Sequence, residues 1–170
     1  MTAAAQRAEL ARIGATLTAL AGERGDRRAR IVGTPRRQPA ATFADIAAAP
    51  AWLHASRDGL TRLALRAALT AMAPALAASI DGGWLRELAG RAGEGALDHA
   101  IAAAATIPDG GVPAVAIAAT DALGFDVLRA ALPPALHRYL DWAPAGDRPV
   151  PPAVAAVAIR LALTDTGEDA

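Results

Sequence analysis

The chain has 170 residues and no cysteine. It is long enough for one domain with a real core, and it excludes disulfides, thiolate metal sites and a cysteine nucleophile. All 17 basic residues are arginine, and net charge is zero but unevenly spread: residues 1–40 carry 8 Arg against 3 acids (net +5), residues 41–170 carry 9 Arg against 14 acids (net −5).

The missing Lys and Asn fit a GC-rich genome, so the arginine bias does not by itself indicate phosphate recognition. Hydrophobic residues make up 54% of the chain, much of it alanine, which favours helix and buries little area per residue. Six aromatics are the bulky anchors: Phe43, Trp52, Trp84, Phe125, Tyr139 and Trp142. No period-two alternation is sustained, so a sheet is not expected. The expectation is an all-α fold: a single compact orthogonal domain of about seven to nine short helices, preceded by an N-terminal helix and an Arg-rich linker.

Residues 1–23 read as an amphipathic helix. Leu10, Ile13, Leu17 and Leu20 recur at three- and four-residue steps, a stripe wide enough for one partner. Arg7, Glu9 and Arg12 interrupt any signal-peptide core. Residues 24–41 read as a solvated linker containing Arg24, Arg27, Arg28, Arg30, Arg36 and Arg37 with Gly and Pro between them. The Arg24-Gly25-Asp26 triplet is read as chance. The arginines could bind phosphates, anionic lipid or an acidic protein surface. No aromatic is interleaved for base stacking, so base recognition is not indicated, and weak nucleic-acid binding through the Arg24–Arg37 arm stands as an alternative function.

The helical body is expected over 42–164. Thr42 with Asp45 marks a helix start. Pro50 restarts the chain, and Ser56 with Asp58 opens a helix whose Leu60, Leu63, Ala67 and Met72 face inward until Pro74 kinks or ends it. Asp81-Gly82-Gly83 reads as a turn and cap before a short helix through Trp84, Leu85 and Leu88. That helix ends at Gly90 or Gly93, and the run Gly90–Gly95 is a helix C-terminus rather than a phosphate loop, since no strand precedes it and no Lys exists. A helix over Glu94–Ala105 follows, then a loop at Pro108–Gly111. Pro113 is expected to open an apolar helix. Thr120-Asp121 is expected to cap another helix, reaching Leu132. Pro133-Pro134 restarts into Leu136, Tyr139 and Leu140; Ala143–Pro152 is a connection; and Ala153–Thr164 is a last helix carrying Val154, Val157 and Leu161. Residues 165–170 form an acidic tail. The Trp52-Leu53 and Trp84-Leu85 pairs, 32 residues apart, hint at a duplication without further matching.

No catalytic, cofactor or metal constellation stands out. Ser56 and Ser79 lack a nucleophile-elbow context, and Ser56 suits an N-cap. An alternative is a small metal- or ligand-binding helical enzyme. It would use His99 and His137 with Asp98 and Asp141, His137 and Asp141 being four residues apart.

The stretch Leu60–Ile101 carries a Leu-rich helix, then Ile80-Asp81-Gly82, then Leu85 and Leu88, then Gly93-Glu94 and Leu97. In this pattern it resembles the central part of the SctK-type accessory subunits of the bacterial type III secretion sorting platform. The resemblance covers about a quarter of the chain. It implies a non-catalytic cytoplasmic helical adaptor that bridges other secretion subunits. Charge asymmetry and the narrow N-terminal stripe point the same way, to another protein as partner. No apolar stretch is long enough for a membrane span.

Overall fold

The computed structural model describes residues 40–164. Among them are seven α-helices, five short 3-10 helices and no strand. The fold is therefore all-α. No described helix is long and apolar enough to cross a membrane. The predicted N-terminal helix, its Leu10–Leu20 stripe, the arginines from Arg24 to Arg37 and the acidic tail lie outside the described residues.

The described residues divide into two compact units, a smaller one of residues 40–55 and 133–142 and a larger one of residues 56–132 and 143–164. In the smaller unit, α1 is Phe43–Ala47. Thr42 and Asp45 form a reciprocal capping box: the Asp45 N–H donates to the Thr42 hydroxyl, and the Thr42 N–H donates to the Asp45 carboxylate at 2.8 Å. The Thr42 hydroxyl, then its backbone N–H, hold the Asp45 carboxyl below its ordinary range. This cap therefore contributes fully above the ordinary Asp range and is lost as pH falls through the depressed value. A 3-10 turn over Ala51–His54 follows Pro50 and buries Leu53. Pro133-Pro134 does restart the chain, but into a 3-10 helix over Pro134–Leu140 that buries Ala135, Leu136 and Leu140. α1 packs against this segment.

The larger unit is built around α2 (Arg57–Ala71). Ser56 caps it by accepting the Gly59 N–H at 3.1 Å. Its apolar residues close into a full belt by the C-terminal half, where Ala67, Ala68, Leu69, Thr70 and Ala71 are all buried, so the helix is surrounded rather than laid on a surface. Leu60, Leu63, Ala67 and Met72 all face inward as their spacing predicts. Ser56→Ala is expected to cost about 1 kcal/mol, the loss of one N-cap; a shifted urea midpoint at unchanged slope is the readout.

Met72 both ends α2 and precedes α3 (Ala73–Ala77), with Pro74 in the first turn where its missing N–H costs nothing. Asp81 caps α4 (Gly82–Ala92) by accepting from the Gly83 and Trp84 N–H groups at 3.0 Å each. Gly82 and Gly83 thus lie inside the first turn, not before it. Gly93, at φ +91, separates α4 from α5 (Glu94–Ala102). α6 is Thr120–Ala130 and α7 is Pro152–Thr164. α5, α6 and α7 all pack on α2.

Three expectations need correction. Pro113 opens no helix: residues 111–116 are irregular, Ala116 is extended, and only a 3-10 turn over Ile117–Ala119 precedes α6. The Val115 carbonyl, which a helix would use internally, instead accepts the Trp84 indole N–H at 3.2 Å. Thr120 is inside α6 rather than its cap, its hydroxyl reaching back to the Ala116 carbonyl at 3.4 Å. α5 and α6 end at Ala102 and Ala130, short of the bounds expected. The inward face of α7 is Val154, Ala155, Ala158, Ile159 and Ala162; Val157 and Leu161 are only half-buried.

The loop after α5 explains one turn of the chain. Asp109, Gly110 and Gly111 all have positive φ (52, 74 and 70). This brings the Val112 N–H onto the Ala71 carbonyl at 2.9 Å, satisfying an orphan group at the end of α2. A Cβ at Gly111 would run into that same carbonyl, so the position requires glycine on space as well as φ.

Candidate functional site

The residues nominated for interaction, Leu10, Ile13, Leu17 and Leu20 with Arg24, Arg27, Arg28, Arg30, Arg36 and Arg37, lie outside the described residues. Of the histidines in the alternative reading, His99 is on α5 in the larger unit and His137 is in the smaller unit. The segment carrying His137 is a 3-10 helix, in which residues three apart eclipse, so its four-residue spacing to Asp141 no longer sets the two on one face. Among the described residues no group of three or more His, Cys, Asp or Glu side chains could hold a metal ion.

The described residues do form a cleft, which no local sequence pattern marks. It lies in the larger unit, about 310 Å³ in volume. Its floor is one face of α6 and its approach, Ala119, Ala122 and Leu123, joined by Val115. Its far wall is Ala145, Gly146, Asp147 and Arg148 from the connection into α7. Two sets of side chains hold these walls in place.

The first set comes from α4. Trp84, Leu88 and Arg91 recur at steps of four and three, so they share a face. Trp84 grips the Val115 carbonyl, as above, and Leu88 is fully buried. Arg91 donates to the Ile117 carbonyl at 2.7 Å and to the Asp121 carboxylate at 2.6 Å. One helix face thereby straps the irregular segment 111–119, which has no ladder of its own. The Arg91–Asp121 pair is a third or more exposed on both sides. Arg91→Gln is therefore expected to cost no more than about 1 kcal/mol, and less at high salt; urea melts at low and high salt check both statements.

The second set comes from α6. Asp126 and Arg129 form a largely buried pair at 3.1 Å, their side chains 12% and 16% exposed. Arg129 also donates to the Ala143 and Pro144 carbonyls at 3.0 Å each. Asp126 Oδ1 accepts the Gly146 N–H at 3.1 Å, while its buried Oδ2 has no hydrogen-bond partner. Asp126 thus positions the backbone of the connection through Oδ1.

The lining is apolar on one side, with charged groups at the rim. It has no hydroxyl, thiol or imidazole. Such a surface can hold an apolar group in place beside the carboxylates of Asp126 and Asp147. No protein family, curated protein or solved structure matches this chain.

Proposed function

We propose that the protein is a non-catalytic helical adaptor that binds another protein. The observation that carries this reading is the outward side of α7. That helix has a single charged residue, Arg160, in its thirteen residues. It turns Ala153, Ala156 and Leu163 to solvent with Val157 and Leu161 half-buried, although its other face already fills the core. Arg160 apart, this outward side is apolar, and an apolar face left in water is normally covered; small residues flanked by aliphatic ones let a partner helix approach closely. The charge partition between residues 1–40 and the rest supports the reading independently, because a basic segment of net +5 favours an acidic partner and speeds encounter.

The resemblance of Leu60–Ile101 to SctK-type subunits supports a finer reading, in which this partner is a cytoplasmic component of a type III secretion sorting platform. Photo-cross-linking in its own cells, from a benzophenone amino acid placed at Ala153, tests both levels, because residues 153–163 carry no lysine, cysteine or carboxylate for a chemical cross-linker. Cross-links from the 153–163 face to another polypeptide are expected, and they should disappear in the A156E/L163E variant. Were no other polypeptide captured there, the adaptor reading would be wrong. A captured partner unrelated to secretion would remove the family assignment alone.

A further inference from the structure

We propose that residues 144–149 form a flap, latched by the Asp126–Arg129 pair, whose release opens the apolar cleft against α6. The segment is bounded by two buried anchors, Ala143 and Val150, each 8% exposed, and every residue between them is exposed. Pro144 and Pro149 have no N–H to donate, and among the described residues no backbone-to-backbone hydrogen bond reaches residues 143–150. The segment is held from the side instead. Arg129 takes the carbonyls of Ala143 and Pro144 at the near hinge. Asp126 takes the Gly146 N–H at the tip.

Gly146 is the seat of the latch. A Cβ placed there would run into the Asp126 carboxylate and contact the Ala122 side chain, so a side chain at this position would push aside the carboxylate that holds the flap. The flap is also the far wall of the cleft. Lifting it further exposes Val115, Ala122 and Leu123, beside Ala119, which is exposed already. Elements fastened by few bonds and few buried apolar contacts open below the global unfolding free energy.

Amide exchange by nuclear magnetic resonance on the full chain tests this, with anilinonaphthalene sulfonate as the apolar probe. In the wild type, the Gly146 amide should exchange at least about tenfold faster than the amides of Leu69 and Thr70 in α2, yet slower than a free chain. In D126A and in G146V, Gly146 protection should fall by about tenfold or more and probe fluorescence should rise, with α2 protection retained. G146V keeps the test decisive if D126A does not fold, because position 146 is on the surface. Exchange of Gly146 only together with α2 would overturn the proposal, as would wild-type protection and probe binding in G146V.

Discussion

Gly124→Ala is expected to destabilise the protein by about 2 kcal/mol or more, despite replacing the poorest ordinary helix former with the best. The favourable side is propensity, worth about 1 kcal/mol in a helix interior. The unfavourable side is space. A Cβ at Gly124 would be driven into the Ala64 backbone, meeting its carbonyl oxygen, carbonyl carbon and Cα. Backbone cannot rotate aside as a side-chain tip can, so α2 and α6 must separate. Forcing extra atoms into a packed core typically costs about 1–3 kcal/mol and sometimes more, and here the clash is with the central helix of the unit. Gly90, in α4, has nothing within 4 Å of an added Cβ. Gly90→Ala should therefore raise stability by up to about 1 kcal/mol. Opposite shifts in the urea midpoint for the two variants are the expected result. A stabilised Gly124→Ala would mean that α2 and α6 do not cross this closely.

That pair of glycines marks where local reading ends. Thr42, Ser56 and Asp81 are legible as caps because each acts on N–H groups two or three residues away. Leu60, Leu63, Ala67 and Met72 are legible because helical period alone places them on one side. Pro113 misleads because proline at a first helical position permits a helix without compelling one. The deciding partner of Val115 is Trp84, 31 residues earlier in the chain. The cleft is hidden for the same reason. Nothing in the sequence around Asp126 singles it out, and its role depends on Gly146, 20 residues on. The inner face of α7 is not legible, because a helix with one charge has almost no polar side from which to infer the other. The feature that defeats the periodicity argument is also the one that makes its outer face a candidate for binding.

Phe125→Ala and Phe43→Ala separate stability from recognition with one chemistry at two exposures. Phe125 is 2% exposed on α6, among the largest fully enclosed side chains. Removing it takes away the transfer energy of the ring and leaves a void, together about 3–5 kcal/mol. In an alanine-rich core few neighbours have the reach to refill that space, which argues for the upper part of the range. Much of a marginal stability of about 5–15 kcal/mol would be gone, so a thermal midpoint lower by more than 10 °C, on the order of 4–8 °C per kcal/mol for small domains and less for larger ones, is the expected result. Phe43 is 85% exposed on α1. Its removal should change stability by less than about 0.5 kcal/mol, as for most surface positions. If the exposed ring serves the adaptor role, Phe43→Ala should weaken partner cross-linking while leaving the melting curve in place. Phe125→Ala should do the reverse below its own midpoint, keeping the partner while the fold survives. A melt unchanged in Phe125→Ala would contradict the enclosed position of that ring, and with it the packing of α6 on which the cleft is built.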